Sequence, residues 1–378
     1  MPKGNANNRV ADAMMTPAAE IRPMTGIRGA AALFVMLYHF HLKMIATGPL
    51  STMLLHGYLA VDLFFILSGF VMAHVYGQAL EAGTFRQRSF LLHRLARVYP
   101  LYLLATLACL VLALGRSGSP GAPLSALAAN LVMLQALGNW PSMDPPAWSV
   151  STEMVTYLLF PVIAMACLRS SRRTALITGA AALLAVLAMT FAASRHYIGA
   201  PVAKGELDLF FSPYTLVRCL AGFTIGQLLH RLYRNGVLNQ VLSGNLIQCA
   251  VLLMVLATMA QALSDFPAYL ALIALIATLA QDRGVMKRLF ASPPFMLLGK
   301  VSFGIYLLHF QAIGLVERLR TAALHRGLSA DASDWIASLT ACAMVIALAW
   351  VLHRGFESPL RRMIRRLEAR PATPALAR

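Results

Sequence analysis

The sequence predicts an all-α polytopic membrane protein of about ten transmembrane helices, with both termini cytoplasmic. Three features carry that reading. Hydrophobic residues fill 58% of the 378 positions and charged residues only 12%, with a mean hydropathy of +0.66. Soluble domains carry about twice that share of charge. The apolar residues come in solid runs that approach the roughly twenty residues a helix needs to cross a bilayer, not in the alternating segments of a barrel. The basic residues gather between those runs, as the positive-inside rule requires.

Taken in order, the predicted spans cover residues 25–46, 56–76, 98–115, 147–168, 174–193, 212–230, 244–263, 266–281, 296–317 and 334–353. A further apolar segment, 124–139, is too short to cross comfortably and is placed as a helix lying at the outer surface. With the amino terminus inside, about three quarters of the 32 Lys and Arg residues fall on the inner side. Residues 1–24 read as a polar cytoplasmic tail without the layout of a cleaved signal peptide, and 25–353 as the transmembrane domain. Residues 354–378 read as a basic cytoplasmic tail, in which ESPLRRMIRRLEAR forms an amphipathic helix attracted to anionic membrane lipid.

A net charge of +17 raises nucleic-acid binding, but charges placed for membrane topology argue against it. The five cysteines lie apart, with no CxxC pair. They read as small buried hydrophobes, and no His, Cys or carboxylate spacing suits a metal.

Polar residues deep in a span are functional by default, although pairing also explains them. Counted at 1.5 Å of rise per residue, His39, Asp62, Glu153, Arg218 and His309 lie roughly 9–12 Å below the outer ends of five different spans. Five ionisable groups thus share one layer. Arg28 sits three helical turns before His39, on the same face and about 16 Å away.

His39 reads as a general base, since an imidazole titrates near neutrality. Glu153 orients that imidazole, deprotonates an acceptor, or simply pairs with Arg218. Asp62 satisfies an arginine or helix end as readily as it serves chemistry, and Arg218 reads as a counter-charge. His309 more often is structural, but it shares the layer. Arg94 and Arg97, three apart on one helical face, suit an anionic cosubstrate as well as topology. Ser68 or Arg218 is the candidate oxyanion donor. Trp148 most simply anchors at the interface, and Gly57, Gly69, Gly222 and Gly226 permit close helix contact.

The stretches RPMTGIRGAAALFVMLYHF, GYLAVDLFFILSGFVM, RLARVYPLY, PPAWSVSTEMVTYLLFP, RCLAGFTIG, LGKVSFGIYLLH and FESPLRR occur in that order from Arg22 to Arg362. As an ordered set they resemble the membrane-bound acyltransferase 3 family of bacterial glycan O-acyltransferases. The resemblance implies transfer of an acyl group, typically acetyl, from cytoplasmic acyl-CoA to a hydroxyl of a surface or periplasmic glycan or glycoside. It implies a bacterial inner membrane, His39 as the catalytic base, and essential roles for Arg28 and Glu153. Two departures stand out: Phe303 where the family often has tyrosine, and Thr152 and Met154 around Glu153. No hydrolase-like domain follows the last span, so the chain is expected to finish the transfer itself or pass the acyl group to a separate periplasmic partner. On this reading acyl-CoA docks from the cytoplasm with its phosphates on Arg94, Arg97 and Arg28. The opposing class is a transporter or exporter that uses the layer as a proton relay; no inverted repeat of the transporter kind is visible.

Overall fold

The computed structural model describes residues 19–40, 48–117, 123–138, 140–194, 206–210, 213–237, 239–261 and 264–368. Most of the predicted amino-terminal tail, the end of the first predicted span and the last ten residues therefore lie outside the described residues. What is described is helical, with no strand.

Helix α1 (Arg22–His39) opens with Pro23 in its first turn, where the missing N–H costs nothing. The short α2 (Pro49–Leu55) leads through a 3₁₀ turn into α3 (Leu59–Glu81), and α4 runs from Gln87 to Ser117. The segment predicted as a surface helix, 124–139, yields only α5 (Leu124–Leu131) and a 3₁₀ turn at Gln135–Leu137. Eight residues rise about 12 Å, far short of a bilayer. Buried Asn130 fixes this segment by donating to Ala126 O and Pro141 O and accepting from Met143 N. Next come α6 (Ala147–Ala164), which ends in a π turn, α7 (Arg172–Ser194) and α8 (Tyr214–Arg234). The remainder is α9 (Asn239–Leu242), α10 (Asn245–Met259), α11 (Asp265–Leu279), α12 (Gly284–Phe290), α13 (Pro293–Leu308), α14 (Ile313–His325), α15 (Ala330–Leu352) and α16 (Ser358–Glu368).

Among the described residues, five helical stretches are long and apolar enough to cross a membrane, or seven if two bent pairs each count as one span. That is fewer than the ten predicted, although a helix lies in every predicted segment. The reasons are physical. Helices α10 and α11 have 15 residues each, about 22 Å of rise against a hydrocarbon core of about 30 Å. Helices α1 and α8 dilute their apolar character with Arg28, Arg218 and further basic residues. The ninth predicted span, 296–317, is not one straight helix. It stops at Leu308, turns through 85° and resumes as α14. A second corner, of 91°, separates α11 from α12. There Asp282 and Gly284 both adopt left-handed backbone, φ 47° and 67°.

Two close helix pairs position the polar groups. Helices α3 and α8 approach until a Cβ added to Gly69 would meet Phe223 O at 2.0 Å, and one added to Gly226 would meet Ile66 O at 2.0 Å. Helices α1 and α13 do the same through Gly29 and Gly299, while Gly26 lets α1 approach Phe290 at the end of α12. Without a hydrophobic drive between helices in lipid, such small-residue seams supply the packing. The first seam carries Asp62 to Arg218. The second carries His39 to His309.

Candidate active site

The predicted layer of five ionisable groups resolves into three separate clusters. The first surrounds a cavity that offers about 100 Å³ to water-sized molecules, enclosed by α1, α3, α4, α6 and α13. Three guanidinium groups, Arg28, Arg94 and Arg97, line it with the single carboxylate of Glu153. Three helices supply the arginines and the glutamate, so the fold, not local sequence, concentrates the charge. Burying like charges is unfavourable unless something anionic accompanies them. Moreover, Arg28 Nε and Arg94 Nε are buried with no hydrogen-bond partner among the described residues.

Glu153 is held from its own helix. Tyr157, one turn on, donates its hydroxyl hydrogen to Glu153 Oε1 at 2.6 Å. That leaves Ser68 Oγ, 3.0 Å from the same phenol oxygen, as the donor in its contact. The order Ser68 to Tyr157 to Glu153 follows from the one hydrogen that a phenol carries.

The second cluster is a histidine pair. His309, fully buried at the corner between α13 and α14, places Nδ1 2.7 Å from Tyr306 O and Nε2 3.1 Å from His39 Nδ1. A carbonyl only accepts, so Nδ1 of His309 carries the hydrogen, and Nε2 of the neutral ring accepts. His39 Nδ1, which also lies 2.9 Å from Val35 O, must then be the donor. The basic lone pair of His39 is thereby placed on Nε2. Tyr306 joins this pair to the cavity, since its side chain lines the cavity while its carbonyl holds His309. Its phenol is fixed by Ser149 Oγ at 2.7 Å and Pro146 O at 3.1 Å.

The third cluster pairs Arg218 with Asp62, both about 1% exposed. Nε and Nη2 reach the two carboxylate oxygens at 3.1 and 2.6 Å, while Nη1 donates to Leu209 O at 2.9 Å. Arg218 therefore pairs with Asp62 and not with Glu153. Nor is Glu153 placed against the imidazole: its described hydrogen bond is to Tyr157. Ser68 lines the cavity and Arg218 does not. The described residues contain no cluster of three metal-ligating side chains.

Sequence reasoning missed Tyr157 and Tyr306. Both carried a signal, since Tyr157 is four residues beyond Glu153 and Tyr306 three before His309, spacings that share a helix face.

Half-buried charges thus line one cavity, and Tyr306 of that lining holds the histidine pair through its carbonyl. The chain belongs to the acyltransferase 3 family, whose sequence model, an acyltransferase domain, matches residues 23–354. Acyltransferase MdmB of Streptomyces mycarofaciens is 29% identical over 91% of this chain and 92% of the relative. Protein 2 in the picA locus of Rhizobium radiobacter is 38% identical over 36% of this chain and 78% of its own length. No solved structure matches. The protein is thus an integral membrane acyltransferase that transfers groups other than aminoacyl groups.

Proposed function

We propose that this acyltransferase moves an acyl group, acetyl in the first instance, from acyl-CoA to a hydroxyl of a surface or periplasmic glycan or glycoside. We place it in a bacterial inner membrane, crossing about ten times with both termini cytoplasmic. Its partners are then membrane lipid, the glycan acceptor and, if the chain hands the group on, a separate periplasmic acyl-accepting protein.

The observation that carries the donor assignment is the excess of half-buried guanidinium groups around one cavity. Arg28, Arg94 and Arg97 line it with a single carboxylate, and the Nε–H groups of Arg28 and Arg94 lack partners among the described residues. Guanidinium forks match phosphate oxygens and hold them by charge-assisted hydrogen bonds. These residues fit the phosphates of acyl-CoA, which supplies the activated thioester.

In this reading His39 Nε2 takes the proton of the acceptor hydroxyl as its oxygen bonds to the thioester carbonyl carbon. The C–S bond then breaks, and the imidazolium returns the proton to the departing thiolate. His309 is a positioning residue that, together with Val35 O, orients the His39 ring and holds the hydrogen on Nδ1. Glu153, held by Tyr157, balances the arginines, and Ser68 is the oxyanion donor at the cavity wall. Asp62 and Arg218 brace the bundle.

Arg94→Ala and Arg97→Ala are each expected to raise the KM for acetyl-CoA about tenfold or more, the worth of a lost charge-assisted contact. Their kcat should move less. Steady-state kinetics in detergent checks this, and an unchanged donor KM in both variants would remove the phosphate assignment.

A further inference from the structure

A second pocket lies at the amino-terminal ends of α6 and α8. It offers about 320 Å³ to water-sized molecules, within the range of small-molecule sites. Three aromatic rings line it: Trp140, Trp148 and Phe210. None of its lining residues is charged. One wall carries Thr215, 1% exposed, whose hydroxyl has no hydrogen-bond partner among the described residues. Gln135 and Ser142 also line it, with the Gln135 amide already held by Tyr102 Oη at 3.0 Å and Ala147 O at 3.4 Å.

We propose that this pocket is the acceptor subsite and that it takes the pyranose ring of a neutral glycoside. The inference rests on the reading of the chain as an acyltransferase with a hydroxyl acceptor. Three properties of the lining select the occupant. A pyranose presents C–H faces to aromatic rings, whose faces are electron-rich, and hydroxyls around its edge. A buried hydroxyl without a partner calls for a ligand or water that hydrogen-bonds to it, which a lipid chain cannot do. The lack of charge disfavours an anionic sugar or a free phosphate, which a cationic lining would recognise.

The rings are held in place. A Cβ on Gly138 would come within 2.8 Å of two Trp140 ring carbons, so the glycine lets the indole lie against the chain. Trp148 meets Phe65 edge-on, with ring centres 6.2 Å apart, and carries the Arg218 guanidinium 5.6 Å from its ring centre. That contact gives the Asp62–Arg218 pair a reason to be rigid. The pocket also adjoins the arginine cavity. Trp148 lines the pocket, whereas its neighbour Ser149 and its packing partner Phe65 line the cavity. The Trp148–Phe65 contact joins one lining to the other.

The test exploits the tryptophans, of which the chain has four, two in this pocket. Full-length protein with Trp335→Phe and Trp350→Phe is placed in nanodiscs of phosphatidylcholine and phosphatidylglycerol. Alkyl glycoside detergents are avoided because they present the same ring. Methyl gluco-, galacto-, manno- and rhamnopyranosides are titrated while emission is followed, with acetyl-CoA thermal stabilisation measured on the same discs. A saturable change with one glycoside is expected. Thr215→Val, nearly isosteric, should weaken it about fivefold, the worth of one hydrogen bond. Trp140→Ala should weaken it about tenfold through lost ring contact. If Trp140→Ala does not fold, Thr215→Val alone decides. Acetyl-CoA stabilisation with no saturable response to any glycoside overturns this inference and leaves the donor reading intact. So does binding that both variants leave unchanged. Glycoside binding without acetyl-CoA binding supports the pocket and counts against the donor reading.

Discussion

His39→Ala should lower kcat by about 10²–10⁴, the usual worth of a positioned general base, while the protein inserts and folds normally. Position 39 is half-buried at the end of α1, so truncation there disturbs little packing. His309→Ala should cost less, about tenfold, because it removes one of the two acceptors that orient His39 Nδ1, the other being Val35 O, and not the base itself. His309→Gln, whose amide oxygen can accept from His39 Nδ1, should recover most of that loss. A purely structural role predicts no such rescue. Kinetics of the three variants, each checked for folding, decide the assignment. Full activity in His39→Ala would remove the base, and an inert His309→Ala would remove the positioning role.

Asp62→Ala should destabilise the protein by about 3–5 kcal/mol, because it strands a buried guanidinium. The remaining described hydrogen bond of Arg218, to Leu209 O, cannot neutralise it. The double variant Asp62→Leu with Arg218→Met should regain most of that stability, since an apolar pair of similar volume often replaces a buried ion pair without loss. Thermal unfolding in nanodiscs measures both. A single variant as stable as wild type would contradict the bracing role. A double variant that regains stability but not glycoside binding would tie the pair to Trp148.

Much of this site was legible before the fold was known. Arg28, Arg94, Arg97, Glu153 and Ser68 line one cavity, and they stood out as charged or polar residues in apolar runs or as arginines on one helical face. Their convergence was not legible, because it depends on which helices touch. The glycines of α3, α8, α1 and α13 set those contacts, and sequence spacing marks a small residue without naming its partner. The five-member layer was too coarse for the same reason. Depth along a helix is readable from rise, whereas the pairing of Asp62, not Glu153, with Arg218 depends on helix rotation. His309 was read inside a continuous span, and its place at an 85° corner comes from the break after Leu308. No proline or glycine marks the described break between Leu308 and Ile313, so the hydropathy pattern runs through it. The count of about ten spans exceeded the long apolar helices because hydropathy sees composition and not where a 15-residue helix stops.

Acyl transfer from a CoA thioester is tested most directly with radiolabelled acetyl-CoA and purified, folded protein in nanodiscs, following binding, thioester loss and label on an added methyl glycoside. The account predicts saturable binding that raises thermal stability and is lost with Arg94→Ala and Arg97→Ala together. It also predicts thioester loss that His39→Ala abolishes. Neither binding nor thioester loss, in protein that instead moves a solute across a sealed vesicle, would contradict it.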